Sequence, residues 1–247
     1  MRRRWLLCLA GAAAANLVLP TTSRAELPAC EVPPELLEVS VKLPHLAERL
    51  GARQPVTIVA VGGASTKGAA AGPPDLAYPH RLQVALAAYY PAVPIVVVNK
   101  GVPRQSTQQM VERFPTDVIA EDPILVVWEA GISDAVRGIE IDDFAAALQA
   151  GIDQVKNRAI DIVLVDMQFS RRTSTVINFE QYLNALHRVG DLNEVYVFPR
   201  FEMMRYWSEQ NVFNFDEVAE DERARLAAKV YDCIGRTLAQ AIRAAVE

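Results

Sequence analysis

The 247-residue chain carries 25 lysines and arginines against 30 aspartates and glutamates, a formal charge of -5, with 51% hydrophobic and 22% charged residues. Enough apolar side chains are present to build a sizeable core, which excludes an intrinsically disordered chain. The acidic balance argues against a nucleic-acid-binding surface.

The chain opens with Arg2, Arg3 and Arg4, continues through an apolar stretch from Trp5 to Leu19, and reaches small residues at Ser23 and Ala25. Such a pattern predicts a secretory signal peptide over residues 1–25. The stretch is shorter than the ~20 residues of a bilayer span, and Asn16 interrupts it. Cleavage would give a periplasmic or secreted protein of residues 26–247, organised as a single domain without a stable membrane anchor. The segment takes away four arginines and no acid, so the remainder has a charge of -9. Two cysteines then remain, Cys30 and Cys233, and in an oxidising compartment an even pair is expected to close as a disulfide.

After the signal, short β-branched runs lie at 56–61, 94–99, 124–128, 160–165 and 194–198, each followed within a few residues by Gly, Asp or Pro. These read as buried parallel strands. Helical periodicity fills the intervals at 78–90, 107–120, 142–157 and 179–189, and a long helix closes the chain over 220–245. Strict alternation of strand and helix predicts an α/β three-layer sandwich around a five-stranded parallel sheet. In such sheets ligands bind beyond the carboxyl ends of the strands. The segments that carry chemistry are therefore 62–72, 100–105, 130–137, 166–172 and the stretch from Arg200 onward.

Three of those segments carry short motifs: Gly62-Gly63-Ala64-Ser65-Thr66-Lys67-Gly68, Asn99-Lys100-Gly101 and Gly131-Ile132-Ser133-Asp134. In this order and at these strand ends they resemble the SGNH/GDSL hydrolase family, whose fold is flavodoxin-like. The resemblance implies an ester hydrolase with a serine nucleophile in the first block, a glycine N–H at the oxyanion hole in the second and an asparagine donor in the third. An Asp-x-x-His pair before the C-terminal helix would complete the site.

The departures from that pattern fall on the catalytic positions themselves. Aligning Gly62, Thr66 and Gly68 puts Ala64 at the nucleophile position. The other register makes Ser65 the nucleophile, at the cost of Lys67 and Ala69 replacing the threonine and glycine. Adjacent residues leaving a strand point in different directions, so Ser65 is no direct substitute for a serine at position 64. Gly101 keeps the oxyanion position, whereas Ser133 stands where the asparagine belongs, and a donor of that kind is worth about 2.7–4 kcal/mol in the transition state. Counting back from Tyr231-Asp232-Cys233, the Asp and His positions fall on Glu222 and Arg225. A second placement from Asp216 puts Ala219 at the histidine. Arginine cannot accept a proton from a hydroxyl. The histidines present, His45, His80 and His187, all lie outside this block.

Asp134, Asp166 and Gln168 are expected to edge a ligand pocket, along with Arg171, Arg172 and Arg200. No Cys/His cluster has metal-ligand spacing and Gly62-Gly63 lacks the spacing of a phosphate loop, so neither a metal nor another cofactor is implied. The expectation is thus a catalytically degenerate member of the family that binds a small-molecule, glycan or acyl-ester ligand in the cell envelope. Glu222 and Arg225, on one helix face, would turn the former active site into an anion-accepting pocket. The alternative is an active esterase of carbohydrate or lipid esters that uses Ser65 with an unorthodox base.

Overall fold

The computed structural model describes residues 30–213 and 218–247; the predicted signal peptide and Asp216 lie outside them. A 3-10 turn (Pro34–Leu37) and helix α1 (Pro44–Gly51) precede the first strand, β1 (Val56–Gly62). Short helix α2 (Ala64–Lys67) leaves that strand directly, and α3 (Tyr78–Tyr89) returns the chain to β2 (Ile95–Gly101). Helices α4 (Thr107–Glu112) and α5 (Phe114–Asp117) lead to β3 (Leu125–Glu129), and α6 (Ile132–Arg137) and α7 (Ile141–Lys156) to β4 (Asp161–Val165). Then come α8 (Arg171–Ser174), α9 (Glu180–Leu192), β5 (Tyr196–Phe198), α10 (Arg200–Glu209) and the long α11 (Arg223–Val246).

The five strands are parallel in the order β2-β1-β3-β4-β5, which puts the topological switch point at β1. Side chains alternate across the sheet with period two. Ile58, Leu125, Val127, Val163 and Val165 join the core under α1, α3 and α11. On the other face, Val59, Val61, Val126, Trp128, Ile162 and Leu164 pack with residues of α4, α7 and α9. β1, β3 and β4 are covered on both faces and read as near-continuous apolar runs, whereas edge strand β2 leaves Val96 exposed and shows in the sequence by its β-branched run alone.

Two helical spans differ from expectation. The helix expected over 107–120 breaks at Arg113, whose backbone leaves helical geometry (φ -98°, ψ 3°) just ahead of Phe114 and Pro115, and the chain restarts as α5. At the C-terminus, Glu220–Glu222 form a separate 3-10 turn before α11 begins. Helices α1, α2, α6, α8 and α10 lie outside the expected helical spans.

Cys30 and Cys233 are bonded, with their Cα atoms 5.1 Å apart. The Trp207 indole N–H donates to the Glu31 carbonyl at 2.9 Å. Together these contacts fasten the first described residues to α10 and α11. No described helix is long and apolar enough to cross a membrane.

Candidate functional site

The site begins where β1 turns into α2. Ala64 is exposed there, whereas Ser65 and Thr66 turn inward and are buried. Gly62 makes that turn feasible: a Cβ on it would sit 2.2 Å from Thr66 Oγ1 and 2.8 Å from the Cβ of Glu129. Without that atom, Thr66 docks on Glu129, the last residue of β3. The Thr66 backbone N–H donates to Glu129 Oε2 at 3.0 Å, and its hydroxyl donates to the same oxygen. With that proton committed, the Tyr78 hydroxyl, 3.0 Å away, is left to donate to Thr66 Oγ1.

Arg200, the first residue of α10, completes the cluster. Its Nη1 donates to Ser65 Oγ at 2.8 Å, and Nη2 reaches Glu129 Oε1 at 3.2 Å. Both side chains of this ion pair are almost wholly withdrawn from water. Burial is the largest influence and disfavours the charged guanidinium, but Glu129, Tyr78 and Asp166 together outweigh it, and the group is held above its already high ordinary value. Burial, and then Glu129, push the Tyr78 phenol up, so it stays a neutral donor. Tyr231 is likewise raised by burial and then by Glu129, against a counter-pull from Arg200 and, more weakly, from the Ala70 backbone and Ser65. Ser65 therefore faces a permanent donor where a nucleophile would need a proton acceptor.

Two cavities meet at Ser65 and Gln168. The outer one, about 350 Å³, is lined by Ala64, Arg104, Glu129, Ser133 and Arg137. The inner one, about 240 Å³, runs under α11 and includes Tyr78, Arg200 and Tyr231. A larger cavity of about 550 Å³ lies at the opposite end of the sheet beside the start of β4. Its charged centre is already satisfied, because Asp161 accepts from the Leu46 N–H and pairs with His45 Nδ1 at 2.7 Å.

Ala64, Ser65, Ser133 and Gln168 are thus brought together in one cleft. Several other expectations are corrected. Gly101 is buried in β2 and gives its N–H to Asn99 Oδ1 at 2.9 Å, so that N–H is not free for an oxyanion. Its lack of a side chain serves packing, since a Cβ would lie 2.3 Å from the Lys67 nitrogen. Asp134 does not edge the pocket; it is buried and accepts from the backbone N–H and hydroxyl of Thr107, anchoring the start of α4. Burial raises its carboxyl above the ordinary value, and the Thr107 bonds oppose the shift. Asp166 is buried as well: it takes the Phe201 N–H at 2.7 Å and pairs with His187 Nε2 at 3.2 Å, tethering the helix start that carries Arg200.

Glu222 and Arg225 are also corrected. Their side chains are 56% and 75% exposed and pair loosely at 3.9 Å, outside both cavities. The inward face of α11 begins with Leu226 and Ala227, and Arg223–Arg225 stay exposed ahead of it. Ala219 is exposed. Arg171 bonds the Ser208 carbonyl and hydroxyl on the surface. Among the described residues no histidine hydrogen-bonds to Ser65. Sequence reasoning passed over Glu129, Tyr78 and Tyr231 and gave Arg200 only an edge role. The available signal was a carboxylate closing an otherwise apolar strand run, Leu125-Val126-Val127-Trp128-Glu129. Among the described residues, no group of three or more His, Cys, Asp or Glu side chains is arranged to hold a metal ion.

Comparison with solved structures defines the class as the SGNH/GDSL hydrolase fold. A G-D-S-L family lipolytic protein from Desulfitobacterium hafniense DCB-2 superposes with a TM-score of 0.60 at 19% identity, covering 75% of this chain and 99% of that one. A two-domain esterase active on acetylated mannans, co-crystallised with mannopentaose, gives 0.64 at 17% identity over 82% of this chain and 55% of its own length. A catalytic mutant of the acetylxylan esterase Axe2 from Geobacillus stearothermophilus gives 0.56 at 19% identity, over 71% and 92% of the two chains. Within that class, the sequence model of the non-GDSL lipase-like family matches residues 29–247, and the chain belongs to that family. No match was found among curated protein sequences.

Proposed function

We propose that the protein is a catalytically degenerate SGNH-fold module that binds a ligand in the Ser65–Gln168 cleft without hydrolysing it. The observation that carries this reading is the Arg200 bond to Ser65. A serine becomes a nucleophile when an adjacent base takes its proton, and a guanidinium that is itself fully protonated cannot do so. The outer cavity supports the same reading, since it presents Ala64 and Ser133 where the family has its nucleophile and asparagine donor. The fold relatives act on acetylated mannans and xylans, which makes an acylated glycan or acyl ester the ligand class to test first. The same reading takes residues 1–25 as a secretory signal, residues 26–247 as one domain and the cell envelope as the place of action. The alternative, an esterase working through Ser65, needs a proton acceptor where Arg200 stands.

The test is to incubate the purified protein with short-chain acyl esters and with a serine-reactive fluorophosphonate, and in parallel to follow its melting temperature with acetylated oligosaccharides. Silence in the first two assays with ligand-dependent stabilisation in the third is the expected result. Turnover, or labelling at Ser65, would replace this reading with the esterase one.

A further inference from the structure

The inner cavity has a composition that the degenerate hydrolytic centre does not account for. Its wall is apolar: Phe169 and Met204 line it, and Ala227, Val230, Tyr231 and Ile234 present one helical stripe of α11 at i, i+3, i+4 and i+7. Its polar lining includes Arg200 bonded to Ser65, and no aspartate or glutamate belongs to the lining. Within that polar group, Arg200 Nε is buried and has no hydrogen-bond acceptor among the described residues. A buried donor left unmet is costly, and a ligand oxygen is one way to meet it.

Arg200 also keeps part of its charge available. It meets Glu129 through a single 3.2 Å contact and not through a forked pair, and Glu129 is shared with both the N–H and the hydroxyl of Thr66. Ser65 Oγ accepts from the guanidinium, and the Tyr231 hydroxyl pairs with Ser65 in the same lining. Such a lining favours an oxygen acceptor, and an anionic one above a neutral one. At about 240 Å³ the space is below the ~300–1,000 Å³ of drug-sized ligand sites, which excludes a sugar chain and suits a short hydrocarbon tail.

We propose that the inner cavity binds a short-chain monocarboxylic acid, with its carboxylate at Arg200, Ser65 and Tyr231 and its tail along α11. This rests only on the non-hydrolytic part of the reading above, and for the inner cavity it replaces the acyl ester with the free acid as the ligand.

The experiment is calorimetric titration of the purified full chain with sodium butyrate, hexanoate and octanoate, with hexylammonium and methyl hexanoate as controls. Affinity should rise about four-fold per added methylene until the tail fills the cavity. Hexanoate should bind at least ten-fold tighter than its methyl ester, and hexylammonium should not bind. Ala227→Phe, which fills the tail region and leaves the guanidinium intact, should abolish acid binding; Arg200→Gln should weaken it where that variant folds. No saturable binding of any acid, equal binding of hexylammonium, or unchanged affinity in folded Ala227→Phe would overturn the proposal. Ester tighter than acid would also overturn it, and would point to an acyl-ester ligand. Turnover of methyl hexanoate, monitored in the same samples, bears on the non-hydrolytic reading alone, so the two failures are separable.

Discussion

Replacing Arg200 with methionine removes a charge and keeps much of the apolar stem. The side chains of Arg200 and Glu129 are 2% and 1% exposed, so the variant strands a carboxylate that is almost wholly withdrawn from water. Breaking a buried ion pair on one side costs about 3–5 kcal/mol. Glu129 retains two donors from Thr66, which places the expectation at the lower end, about 3 kcal/mol. That is a large share of the ~5–15 kcal/mol that holds a domain together. Urea unfolding followed by tryptophan fluorescence would measure it. The companion variant Arg200→Met/Glu129→Gln removes both charges and should recover at least about 1 kcal/mol relative to the sum of the single losses. A single-variant cost below about 1 kcal/mol, or strict additivity in the double, would refute the idea that this pair acts as one buried unit.

Ala64→Ser should show no ester turnover above background, because a hydroxyl at that position still lacks a base; appreciable hydrolysis of a nitrophenyl acetate would mean that one exists. Cys30→Ser/Cys233→Ser should lose about 2–4 kcal/mol in denaturant titrations, and reduction of the native protein should lower its midpoint in the same direction. A third expectation concerns pH. His187 is raised above its ordinary 6.5 mainly by its bond to Asp166, so its contribution to stability is complete below pH 6.5 and is lost as pH climbs through the raised value. Asp166 is pushed up by burial, so its own contribution falls with rising pH from the ordinary carboxylate value upward, a separate step that begins well below pH 6.5. Melting temperature should therefore fall on the alkaline side of pH 6.5, and His187→Gln should flatten that fall; an identical profile in the variant would discard the assignment.

The sheet was legible because its inner strands are buried on both faces and edge strand β2 keeps a β-branched run, Ile95-Val96-Val97-Val98, although Val96 is exposed. Helix boundaries were less so, as Arg113 shows: the break ahead of Pro115 comes at a residue with no breaker character of its own. At the site, Gly62, Thr66 and Gly68 fixed which way Ala64 and Ser65 face, since glycine spacing reports backbone geometry directly. Arg200 stayed hidden for a physical reason. Arginine at a strand end is ordinarily solvated, and only the three-dimensional meeting of β1, β3 and α10 puts it beside Ser65. Asp134 and Asp166 misled in the opposite sense, because a carboxylate at a strand end looks the same in sequence whether it meets a ligand or a helix N–H. For Glu222 and Arg225, spacing gave a shared face, but nothing in the spacing says whether that face has anything to pack against.

The Cys30–Cys233 bond spans 203 positions, and all five strands lie between its ends. The chain from Cys30 to Cys233 is therefore a covalent circuit closed around the whole sheet, and among the described residues, 234–247 extend past the join. One cut in any connecting loop, including the stretch between α10 and α11, opens the circuit without releasing a piece. A once-nicked molecule would keep its full mass until a reductant is added and would then separate into two fragments. Loss of material from the sheet requires two cuts, or one cut and a reducing equivalent.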